Sequence, residues 1–69
     1  MAFNLTSRGE QEALKINQVT SPESAVLVFM YEIKRPAEVE DIQEETHMSD
    51  EKALKVLRRL ENGGYISET

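Results

Sequence analysis

No cysteine occurs in the 69 residues. Disulfides, thiolate metal sites and a cysteine nucleophile are therefore excluded, and with them the staples of small secreted domains. Glycine is scarce, with three residues and no glycine-rich phosphate loop. No hydroxyl nucleophile is paired with a base, and so short a chain has no room for a sizeable pocket, which excludes an enzyme and gives no reason to expect a cofactor. Apolar runs are also short: none approaches the roughly 18 residues that span a bilayer. The opening MAFNLTSRGEQEALK has no basic stretch followed by an apolar run, as a signal peptide would. The expectation is a soluble, cytoplasmic protein without membrane contact. A domain of this size buries only about 60% of its unfolded surface, so stability is marginal and a partner is expected to supply some of the missing burial.

An excess of positive charge is missing too, since the formal net charge is −5. Phosphate neutralisation supplies most of the affinity of nonspecific nucleic-acid binders, so this chain is not one of them. The distribution says more than the sum. Residues 1 to 36 balance, with Arg8, Lys15, Lys34 and Arg35 against Glu10, Glu12, Glu23 and Glu32. Residues 37 to 51 hold seven acids and no lysine or arginine, and residues 52 to 69 set Lys52, Lys55, Arg58 and Arg59 against Glu61 and Glu68.

Four segments follow from cap signals and periodicity. Residues 1 to 20 form an N-terminal segment in which Ser7 and Glu10 have capping-box spacing. A short helix from Glu12 to Ile16 competes there with a strand, because Leu14-Lys15-Ile16 alternates. Ser21 as N-cap and Pro22 at the first helical position start a second segment. In it Ala25 to Ile33 contains one charged residue, Glu32, and is apolar nearly all the way around. Such a helix must be sandwiched between the helices that follow and either the N-terminal segment or a second copy of the chain. A homodimer through this helix is the expectation. Pro36 ends it. Val39, Ile42 and Thr46 mark a third, short amphipathic helix. Ser49 caps the fourth, whose Ala53, Val56, Leu57 and Leu60 make the cleanest apolar stripe in the chain. Gly63 and Gly64 stop it, and Tyr65-Ile66-Ser67 begins a strand.

The stretch AEVEDIQEETHMSDEKALKVLRRLENGGYI resembles the winged helix-turn-helix core of bacterial and archaeal transcription regulators, the MarR-like proteins and their relatives. The likeness is one of pattern and covers about residues 22 to 67. Val39, Ile42 and Thr46 match the apolar positions of the first motif helix, Met48 and Ser49 the turn and cap, and Leu57 to Glu61, Gly64 and Ile66 the helix end and first wing strand. Position 47, often glycine in the family, is histidine here, and position 43, often alanine, is glutamine. The second wing strand and the wing tip have no counterpart. The resemblance implies a mostly α fold, a three-helix core with a minimal or truncated β-wing over residues 21 to 69. Strand 65–67 would then pair with the segment around Pro36 to Glu38 and leave an edge open to a partner.

It also implies a sequence-specific DNA-binding transcription regulator in which the exposed side of the last helix enters the major groove of double-stranded DNA. The residues there are Ser49, Asp50, Glu51, Lys52, Lys55, Arg58 and Arg59. Lys52, Lys55 and Arg59 would reach phosphates or base edges. Asp50 and Glu51 would accept from cytosine amino groups or exclude wrong sequences. A plain solvated helix would show the same pattern: Glu51 and Lys55 have favourable i, i+4 spacing, and acids at the start with bases toward the end complement the helix dipole. The acids from Glu38 to Glu45 read either as a solvated face or as a docking surface for a basic protein partner; a protein-interaction module with the winged-helix fold, using this acidic face or the open strand edge, is the alternative function. His47 is a lone histidine and does not make a metal site.

Overall fold

The computed structural model covers residues 1–69 and runs β1 (Ala2–Leu5), α1 (Ser7–Lys15), α2 (Pro22–Ile33), β2 (Ala37–Glu38), α3 (Val39–Thr46), α4 (Asp50–Asn62), β3 (Ile66–Glu68). The fold is mostly α and winged-helix-like, with four helices and a three-stranded antiparallel sheet. No helix is long and apolar enough to cross a membrane.

Two of the helix starts lie where their caps place them. The Ser21 hydroxyl accepts from the Ser24 N–H at 3.1 Å, and the Ser24 hydroxyl accepts in return from the Ser21 N–H at 3.0 Å, ahead of Pro22 in the first turn. Ser49 accepts from the Lys52 N–H at 3.2 Å and starts α4. The start of α1 differs from the capping box expected at Ser7. Thr6 is the cap, its hydroxyl accepting from the Gly9 N–H, and Ser7 is the first helical residue. The same Thr6 hydroxyl donates to the Gly64 carbonyl at 2.6 Å and so ties α1 to the turn after α4. Leu14-Lys15 is helical rather than extended, with Leu14 largely exposed.

The sheet order, β2-β1-β3, corrects the strand pairing expected from the sequence. Segment 36–38 and strand 65–67 do not pair with each other. β1 lies between them, with Phe3 opposite Ala37 on one side and Asn4 opposite Ser67 on the other. The N-terminal strand is the centre of the sheet, and β3 keeps its outer edge unpaired.

Segment 1–20 therefore shares the core of the rest. Phe3 and Ala13 are buried in one cluster with Val26, Leu27 and Met30 of α2, Ile42 of α3, Val56, Leu57 and Leu60 of α4, and Ile66 of β3. α1 packs on α2, so of the two covers left open for that apolar helix, the N-terminal segment is one that covers it. Ala25, Val28 and Phe29 remain half-buried.

Candidate nucleic-acid interface

Ala53, Val56, Leu57 and Leu60 of α4 are all buried, at 3% exposure or less. Helical geometry then turns Glu51, Lys52, Lys55, Arg58 and Arg59 to solvent, with Leu54 half-buried among them. The turn before α4 is fixed by side chains. His47 closes α3 in the left-handed conformation, φ 59°. Gln43 spans the turn: its amide donates to the Met48 carbonyl at 3.4 Å and to the Asp50 carboxylate at 2.5 Å. Asp50 is thereby drawn back toward α3. Its Oδ1 accepts that bond, while Oδ2 accepts none within the chain.

The cations of α4 are not equivalent. The molecule contains three ion pairs within 4.0 Å, and only one involves α4: Arg59 Nη1 lies 3.4 Å from Glu23 Oε2. Lys52, Lys55 and Arg58 have no such partner, and the favourable spacing of Glu51 and Lys55 does not bring them into a pair. Glu23 belongs to the first turn of α2. Between that turn and α4 runs an open groove of about 380 Å³, lined by Pro22 and Glu23 on one side and by Ser49, Glu51, Lys52, Lys55 and Arg59 on the other.

A larger groove, about 760 Å³, lies beside it. Its floor is Ala25, Val28 and Phe29 of α2, and Glu32, Glu45 and Lys52 are on its rim. The acids Glu40, Glu44 and Glu45 of α3 are exposed. Asp41 is not free: its carboxylate accepts from the Glu38 N–H at 3.0 Å and from Arg35 at 3.1 Å. These contacts, the backbone bond first and then Arg35, hold its pKa below the ordinary carboxylate value. No three metal-ligating side chains converge anywhere.

Glu23 and Gln43 are the two site residues that the sequence did not single out. Glu23 reads as an ordinary first-turn acid, and 36 positions separate it from Arg59. No helical or strand spacing links them. Gln43 was visible as a departure at a position often alanine, but its two acceptors were not.

Compared with protein-family models, with curated proteins and with solved structures, the chain finds no match.

Proposed function

We propose that this chain is a sequence-specific, DNA-binding transcription regulator of the winged helix-turn-helix type, acting in the cytoplasm without a cofactor or catalytic activity. The observation that supports it most is the outer side of α4. Three unpaired cations, Lys52, Lys55 and Arg58, stand on a helix whose opposite side is locked into the core. Rigid presentation of this kind is what contact with phosphates and base edges requires. The net charge of −5 keeps nonspecific attraction low, so binding is weak and sequence-dependent.

The test is a chemical-shift titration with a pool of random duplexes at low salt, followed by the double variant Lys55→Ala/Arg59→Ala. Its affinity should fall, and the salt dependence should flatten by up to about two units of slope. Folding should barely change, because both side chains are exposed. Glu51→Ala should raise affinity for all duplexes and weaken sequence preference, since a repulsive group is lost. Unchanged binding of every duplex by the double variant would end the case for this helix.

A second reading, a protein-interaction module with the same fold, draws on the larger groove and on the acids beside it. Reversing the charge of Glu40, Glu44 and Glu45 would then abolish partner binding, and the changes on α4 would be silent. The homodimer expected from the sequence also falls to the groove floor of Ala25, Val28 and Phe29, because α1 covers another side of α2. Sedimentation at micromolar concentration measures it.

A further inference from the structure

We propose that the groove between the first turn of α2 and α4 is a phosphate site, and that the Glu23 carboxylate occupies it in the free protein as a tethered competitor. The DNA-binding reading names the source of the phosphate, and to that extent the proposal rests on it. The geometry of the groove does not.

Three cations, Lys52, Lys55 and Arg59, line one groove against two carboxylates, Glu23 and Glu51. Of the cations only Arg59 is neutralised, by a residue outside its own helix. That contact is long, at 3.4 Å, and its side chains are 66% and 31% exposed. An exposed ion pair of this kind is worth little and is readily displaced. A phosphate is a better occupant. Its oxygens can accept from a guanidinium in two places and from neighbouring ammonium groups at the same time, whereas Glu23 reaches Arg59 alone. The Ser49 hydroxyl, already an acceptor for the Lys52 N–H, retains its own proton to donate. When phosphate enters, Arg59 exchanges partners and Glu23 swings into solvent. Glu23 thus lowers affinity without touching the ligand. The cost is the same for every ligand that takes Arg59 from Glu23, and it is absent for one that leaves the pair intact.

The experiment compares the full-length parent, Glu23→Gln and Glu51→Gln, each with Arg59 intact and with Arg59→Ala. Inorganic phosphate and a DNA duplex are titrated separately, and binding is read from the backbone amides of Ser49, Lys52 and Arg59. The same spectra report that each variant is folded. Glu23→Gln should tighten both ligands by about two- to fivefold, the range an exposed pair is worth. It should also steepen the duplex salt dependence by up to about one unit of slope. Both gains should vanish in the Arg59→Ala background, and Glu51→Gln should give less. Equal gains from Glu23→Gln and Glu51→Gln, with or without Arg59, mean a general charge effect and overturn the proposal. A duplex bound identically by parent and Glu23→Gln overturns it while DNA binding stands. Phosphate tightened by Glu23→Gln with no duplex bound by any variant keeps the site, assigns it to phosphate groups other than DNA, and removes the DNA reading. Binding of neither ligand removes both.

Discussion

Two residues, Lys34 and His47, hold positive φ without being glycine, at 54° and 59°. Each closes a helix, α2 and α3 respectively. The left-handed region costs a side-chain-bearing residue about 1–2 kcal/mol, and glycine returns part of that gain through its freer unfolded chain. His47→Gly should therefore stabilise the domain by about 0.5–1 kcal/mol, read as a higher urea midpoint. Lys34→Gly should gain less, because the Lys34 ammonium lies 5.2 Å from the centre of the Tyr31 ring and that contact is lost. A lower midpoint for His47→Gly would mean that the imidazole contributes a contact not evident in the fold. Asp41 governs the acid side. Its folded pKa lies below the ordinary 3.8 because the charged form accepts from the Glu38 N–H and from Arg35. Its contribution is therefore fully present above the unfolded value and is lost as pH falls through the lower folded value. Asp41→Asn keeps an acceptor for the Glu38 N–H but has no charge to lose. The variant should be less stable than the parent at neutral pH, and the difference should close below pH 3.8. Urea midpoints measured between neutral pH and pH 2 check this, and a gap that stays constant throughout would contradict it.

The helices differ in how far local sequence specifies them. α2 was legible from Ser21 and Pro22, α3 from the spacing of Val39, Ile42 and Thr46, and α4 from both signals: Ser49 opens it, and Val56, Leu57 and Leu60 occupy the buried side predicted for them. α1 was not. Its buried residues are Gly9 and Ala13, a small-residue side that hydrophobic periodicity does not register, while its largest apolar side chain, Leu14, is 64% exposed. A helix packed through glycine makes an unusual prediction. Helix propensity alone would have Gly9→Ala stabilise by about 1 kcal/mol. A Cβ at Gly9, however, would lie 2.0 Å from the Tyr65 carbonyl oxygen, a backbone atom that cannot step aside. That carbonyl also accepts from the Thr6 N–H at 3.0 Å, so α1 would have to lift away from the approach to β3. The clash wins, and Gly9→Ala should destabilise by about 1–3 kcal/mol, the usual range for overpacking. A thermal or urea midpoint equal to the parent's would show that α1 can shift freely. On the exposed side of α4 the same division holds. The cations of α4 follow from one helix's spacing, whereas the Glu23–Arg59 and Gln43–Asp50 contacts join different helices and needed the fold.

Across the whole molecule, the strand with the most sequence-distant partners holds the sheet together. β1 pairs with segments more than 30 and more than 60 positions away, so no local pattern in AFNL announced it. Phe3 is buried to 4% exposure in the common core. Phe3→Ala should remove about 3–5 kcal/mol. A domain of 69 residues has roughly 3–10 kcal/mol in all, so the variant should lose a large share of its stability, read as a much lower urea midpoint. The resemblance read from the sequence, by contrast, covers about residues 22 to 67 and leaves β1 out. The chain ends decide between these views. The Thr69 N–H donates to the Ala2 carbonyl at 2.9 Å, and β3 runs antiparallel to β1, so a hairpin turn would join them in the order of a continuous wing. A permuted chain with a four- or five-residue link from Thr69 to Met1, opened in the exposed stretch between Asn17 and Thr20, should fold. It gives up only the pair between the Met1 ammonium and Glu38, whose side chains are about half exposed and contribute little. The fragment 21–69 should show no cooperative unfolding. If the fragment folds and binds duplex while the permuted chain does not, β1 is dispensable and the sheet order has no bearing on how α4 is held.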